Sequence, residues 1–279
     1  MWAIAAIAVR EALRRRILPV TVLAATVFLG LYGLAVRFIA RDMAAHADPL
    51  TQAVVYPQLF SLGLYFSSFI VCFLAVFAAV GTISAEIDNG TILAVAPRPI
   101  RRSSIVLGKF TGFGLMLVAY AALFFLALTA VIRGLTGYQL GAPAGPLALF
   151  CLQPLVLLAV TLLGTTFLST MANGVVILAL WAAATIGGMI EQIGWMMNNA
   201  SLKTIGILTS LIMPVDALYR KVIYLLLGSA DVRNPFAAAA QMGPFGAQVE
   251  PSVWMLVYTA LYLVGALGAA AWVFTRRDI

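Results

Sequence analysis

The sequence predicts an all-α integral membrane protein. It has six transmembrane helices, an N-terminal amphipathic helix, and re-entrant or interfacial helices on the outer face before the last span. Three observations carry this reading. Hydrophobic residues make up 63% of the 279 and charged residues 10%, with a mean hydropathy of +1.04; a soluble domain carries about 25% charged residues. Apolar runs of the roughly 20 residues needed to cross a bilayer recur along the chain. The charges collect at the ends of those runs, so the net charge of +7 reads as topology rather than as a nucleic-acid surface. No basic face interleaved with aromatics is present, and nucleic acid is excluded as a partner.

Met1 to Arg16 is amphipathic, with Trp2, Ile4, Ala8 and Leu13 on one side and Arg10, Arg14, Arg15 and Arg16 towards the other or the end. It reads as a helix lying on the cytoplasmic leaflet. The apolar run that follows, Ile17 to Ala40, exceeds a signal peptide's core of about 7–15 residues and closes on no A-x-A site. It is the first span, with Pro19 in its first turn. Arg41 to Pro57 is predicted as a polar link carrying His46, Asp48 and Pro49. The second span is placed at Gln58–Ser84, where Phe and small residues suit helix packing. The third is placed at Ile105–Ile132, followed by a Gly/Pro-rich link to Pro146. The fourth is placed at Leu147–Thr170, with a tight turn at Met171–Gly174 and a fifth span to Ile190.

Residues 191–251 form the long irregular extracytoplasmic region. A seventh span here would put Asp216, Arg220 and Lys221 near lipid, at about 2.5–3.5 kcal/mol each at mid-membrane. It would also leave Arg276 and Arg277 outside. The region is therefore read as re-entrant or interfacial helices, and Ser252–Phe274 is the sixth span. The inner segments then hold Arg10, Arg14, Arg15, Arg16, Arg98, Arg101, Arg102, Lys109, Arg276 and Arg277 against four acids; the outer segments are nearly balanced. This bias puts both termini in the cytoplasm.

One polar island interrupts the apolar pattern on the inner side, Gly81 to Lys109. It holds the closely spaced acids Glu86 and Asp88 and the bases Arg98, Arg101, Arg102 and Lys109. Asn89-Gly90 tolerates positive φ and makes a turn. Thr91 can cap a short helix, Ile92 to Ala96, which Pro97 and Pro99 stop. The apolar side of that stub, with Ile92 and Leu93, is suited to a partner's groove. Simple topology signals explain any one of these arginines equally well.

The pattern Glu86-x-x-x-Gly90-Thr91, Pro99-x-Arg101, Gly108-Lys109 resembles the ABC type-2 exporter permeases, and the likeness extends to chain length and helix count. A second run, Pro214-Val-Asp216-Ala-Leu-Tyr219-Arg220, resembles permeases of the nitrous-oxide-reductase maturation and copper-processing type. The resemblance implies one ABC type-2 transmembrane domain over 1–279, with 1–16 as an elbow helix and 85–104 as the coupling segment. It implies two copies of a nucleotide-binding ATPase subunit, which carry the ATP and Mg, and a second permease copy, identical or similar. It implies a bacterial or archaeal cytoplasmic membrane. Pro214, Asp216, Tyr219 and Arg220 become an outer gate or the contact for an extracytoplasmic protein partner.

The chain itself lacks a phosphate-cradling loop: no G-x-x-x-x-G-K-[ST] occurs. With a single histidine, His46, a metal or Ser-His site has little to draw on, and no catalytic residue is expected. No charge sits at the middle of a clear span, and no internal repeat is evident, which weighs against the alternative of a stand-alone secondary transporter or channel. Phe66, Phe69, Phe73, Trp181 and Met189 are candidates to line a pathway, but buried helix packing explains them as well. Cys72 and Cys151 lie in apolar runs and read as small hydrophobes.

Overall fold

The computed structural model describes residues 8–10, 17–82, 84, 102–138, 142–227, 246–247 and 250–276. These residues are helical apart from short connections. Six helices are long and apolar enough to span a membrane: α1 Ile17–His46, α2 Pro49–Ala79, α3 Arg102–Thr136, α4 Ala144–Thr165, α5 Thr170–Met196 and, last in the chain, α8 Val253–Arg276. Between α5 and α8 lie α6 Ala200–Ile212 and α7 Val215–Leu227. Each has 13 residues, about 20 Å, too short to cross alone. They meet at 109° across Met213-Pro214, as expected of a re-entrant pair.

The predicted polar link at 41–57 is corrected. α1 runs on to His46, and α2 starts at Pro49, leaving two residues between them. The polar residues here belong to the helix ends and do not stop the helices. His46 Nδ1 lies 3.3 Å from Asp42 one turn back. The Gln52 amide donates to the carbonyls of Met43 and Ala47, satisfying the exposed end of α1. Pro49 sits in the first turn of α2, where its missing N–H costs nothing.

The predicted turn at Met171–Gly174 is also corrected. The chain turns at 166–169 and α5 begins at Thr170. Asn173 is spent on tertiary contact instead. Its Nδ2 donates to Thr161 O at 3.0 Å and Val80 O at 3.4 Å, and its side chain occupies the space a Cβ at Gly164 would need. The other link behaves as its composition suggests: Gly137, at φ +67°, closes α3 by donating to Arg133 O.

α4 is the centre of the bundle, packed by α2, α3, α5, α7 and α8. Phe150, Val156, Leu157 and Leu158 are buried along it. α1 lies on α2 and α3, where Tyr32 packs over Gly63 and the Tyr120 hydroxyl donates to Thr21 O. Val20, Leu23, Leu31, Leu34 and Phe38 stay exposed on α1 and form the face such a bundle offers to lipid or to another chain. Ala8, in the helical stretch 8–10, is buried in the same core as α3 and α4.

Candidate functional site

The site is built on glycines. α5 and α6 form an antiparallel hairpin through a turn in which Asn198 takes positive φ and Asn199 caps α6 by accepting from Ser201 N and Leu202 N. A Cβ at Gly187 would enter Thr209, one at Gly194 would meet Leu202, and one at Gly206 would enter Glu191. Small residues here let two backbones touch. Gly188 does the same for α7: a Cβ there would overlap the Asp216 carboxylate.

Into this contact the chain brings charge. Asp216 and Arg220 lie one turn apart on α7 and are 8% and 7% exposed. Arg220 Nη1 reaches Glu191 Oε2 at 2.8 Å, and Nη2 donates to Ser210 Oγ at 3.2 Å. Arg220 Nε lies 3.0 Å from Asp216 Oδ2, off the line an aligned hydrogen bond needs, so that attraction is between charges. One guanidinium thus binds α5, α6 and α7 together. Lys221, also buried, pairs with Glu250 and donates to Pro251 O at 3.1 Å, tying α7 to the chain entering α8. The Tyr219 hydroxyl donates to Ser61 O at 2.9 Å, and its ring meets Tyr65 edge-on at 5.5 Å, tying α7 to α2. Tyr258 and Tyr262 of α8 donate to Leu211 O and Ile212 O, where α6 ends.

The four residues expected from the sequence to form an outer gate or partner contact lie together on and beside α7, and all four are buried. Pro214 stands at the α6–α7 break, where its carbonyl accepts from Leu218 N. Asp216, Tyr219 and Arg220 face three helices of their own chain. Sequence reasoning missed Glu191 and Ser210 as partners of Arg220, and the neighbouring pair Lys221–Glu250. The i, i+4 spacing of Asp216 and Arg220 was a visible signal; the pairing with Glu191 depends on the glycines that close the hairpin.

At the other end, the Lys109 ammonium is buried and donates to Thr82 O. Ser84 Oγ lies 2.7 Å from Thr170 Oγ1. With the Asn173–Val80 bond, these contacts fasten the end of α2, the start of α3 and the α4–α5 turn to one another. Gly108-Lys109 of the sequence motif belongs to this fastening. Arg102 opens α3, and Arg10 is exposed on the helical stretch 8–10. Glu86, Asp88, Gly90, Thr91, Ile92, Leu93, Pro99 and Arg101 lie outside the described residues, as do Arg14, Arg15 and Arg16.

The aromatic candidates for a pathway divide. Trp181 is buried, packed on Phe69 at 4.6 Å and Phe73 at 5.2 Å, so it joins α2 to α5. Phe66 and Phe73 are exposed. Among the described residues no cluster of His, Cys, Asp or Glu is placed to hold a metal ion. No curated protein matches the chain. The family model described as "ABC-2 family transporter protein" matches residues 2–279. The chain belongs to the ABC-2 family of transporter proteins, as a multi-pass membrane component.

Proposed function

We infer that this chain is the permease subunit of an ATP-driven exporter, working with a second permease copy and two copies of a separate ATPase subunit. The observation that carries the reading is the family match over residues 2–279. ATP-driven closure of the ATPase pair would act on the 85–104 segment, with Glu86, Asp88, Arg101 and Arg102 as charged contacts and Thr91, Ile92 and Leu93 as the docking stub. The elbow helix, Arg10 to Arg16, would be the second point of contact. Both termini would face the cytoplasm of a bacterial or archaeal cell. The subgroup reading, a permease of the nitrous-oxide-reductase maturation and copper-processing type, rests on the Pro214–Arg220 run alone.

A second use of the same machine has one observation in its favour. The end of α6 and the first half of α7 are joined to α5, α2 and α8 by hydrogen bonds and ion pairs. Movement of the spans would thus reach the outer hairpin directly, and the work delivered there could be mechanical action on an extracytoplasmic partner. The test of the main reading is co-purification of the tagged chain with the ATPase encoded beside it, followed by ATP hydrolysis assays. Glu86→Ala and Arg101→Ala should lower hydrolysis severalfold while the complex stays intact. A chain that purifies alone, with no ATPase bound, would overturn the reading in favour of a stand-alone transporter or channel.

A further inference from the structure

A cleft of about 230 Å³ lies between the end of α5, the arms α6 and α7, and the start of α8. It is smaller than the roughly 300–1,000 Å³ that hold a drug-sized molecule, so it fits a head group or a short chain. Ile207, Leu211 and Met255 give it an apolar side. Glu191, Arg220 and Glu250 give it a charged one.

The sign of a ligand follows from which charges are already engaged. Arg220 Nη1 meets Glu191 and Nη2 donates to Ser210, while Nε lies near Asp216 without an aligned hydrogen bond. The Lys221 ammonium is held by Glu250 and the Pro251 carbonyl. Arg220 lines the cleft but has both terminal nitrogens engaged, and Lys221 is not among the lining residues. Glu191 meets Arg220 through Oε2 and Glu250 meets Lys221 through Oε1, so each has a second oxygen outside its ion pair, and both residues line the cleft. Behind them Asp216 Oδ2 is buried without an aligned hydrogen bond. Of the charged residues described as lining the cleft, two are carboxylates, Glu191 and Glu250, and one is a base, Arg220. Glu250 is half exposed there, and a cation in the cleft would lie against this excess of carboxylate. Among the described residues no three metal-ligating side chains converge there, and half the lining residues are apolar.

We propose that this cleft binds an alkylammonium group, the cationic end of an amphiphile. The assignment rests on the exporter reading for its purpose, since the cleft would then hold cargo or lipid at the outer end of the spans. It stands on the cleft's own chemistry for its specificity.

The test uses the full chain purified into phosphatidylglycerol nanodiscs and needs no ATPase. Hexylammonium, hexyl phosphate and hexanol are titrated, with the melting temperature and tryptophan fluorescence as readouts. Trp254 stands on the first turn of α8 beside Met255. Hexylammonium should bind and raise the melting temperature; the phosphate and the alcohol should not. Glu250→Gln should weaken binding roughly tenfold or more, as for loss of a charged hydrogen bond. That carboxylate is half exposed and the amide still accepts from Lys221, so the fold should hold. Ile207→Trp, which fills the cleft from its apolar side, should abolish binding in a folded protein. Nanodiscs containing phosphatidylethanolamine separate the sources: a lower apparent affinity makes the lipid head group the occupant, and an unchanged one makes it the free amine. Equal binding of all three probes, preference for the phosphate, or indifference to Glu250→Gln would overturn the proposal and leave the permease reading standing. Failure of the ATPase to associate would do the reverse.

Discussion

Two buried polar regions of this bundle differ in kind. Within the spans α2, α4 and α5 the buried polar groups are neutral. Ser68 donates to Gln153 Oε1, Asn173 binds Thr161 O, and Ser61, Ser67 and Thr161 donate to carbonyls one turn back in their own helices. At the α5–α7 corner the groups are charged: Asp216, Arg220 and Lys221 are buried and Glu191 is half-buried. Neutral groups that lose a partner can turn to a nearby carbonyl, so in membranes such bonds average about 0.6 kcal/mol. Charged groups have no such fallback. The corner is therefore the part of the molecule that tolerates one arrangement only. A buried ion cluster adds little net stability over an apolar one, and its use here is to fix how the short helices sit on α5.

The largest expected effect breaks that corner. Arg220→Met leaves Glu191 and Asp216 facing each other without a counter-charge, which should cost about 3–5 kcal/mol. It should show as loss of the monodisperse peak on size exclusion and a large fall in melting temperature. Replacing the set together, Glu191→Gln, Asp216→Asn and Arg220→Met, should restore much of the loss. If the triple variant is as unstable as the single one, shape and not charge holds the corner, and the contrast between the two regions fails.

A smaller effect tests the glycine seam. Gly188→Ala puts a methyl group into the space of the Asp216 carboxylate. Overpacking of this kind costs about 1–3 kcal/mol. The damage should be specific to α7. Hydrogen exchange in 215–227 should quicken while α2 and α4 stay protected. Uniform loss of protection across all helices would show that the corner is not a separable unit.

How far the sequence revealed this contrast depends on what each feature rests on. The spans were legible because lipid imposes length and hydropathy on each one locally. The short α6 and α7 were legible because a full span there would have exposed three charges to lipid. The 41–57 link was misread because polar residues that cap a helix outside the bilayer look like residues that end it. Asn173-Gly174 was misread because the asparagine side chain serves carbonyls of α4 and of residue 80, a use no local pattern reveals. The corner itself was half legible. Asp216 and Arg220 carry helical spacing, but Glu191 and Glu250 come from 25 residues before Asp216 and from 29 residues after Lys221, and nothing short of the folded hairpin pairs them.

The smallest effect sharpens the comparison from the neutral side. Gln153 is buried on α4, accepts from Ser68 through Oε1, and leaves Nε2 without a hydrogen-bond partner. Gln153→Leu removes one bond of about 0.6 kcal/mol and also removes a buried orphan donor, whose desolvation costs about 1–3 kcal/mol. Ser68 can then donate to the carbonyl one turn back, as Ser61 and Ser67 already do. The melting temperature should hold or rise slightly, the opposite of Arg220→Met. A second measurement on the same variant, ATP hydrolysis by the assembled complex, separates packing from use. If Gln153→Leu keeps its stability but loses hydrolysis, the unpaired amide is kept for the working cycle and the neutral region is not merely glue between spans.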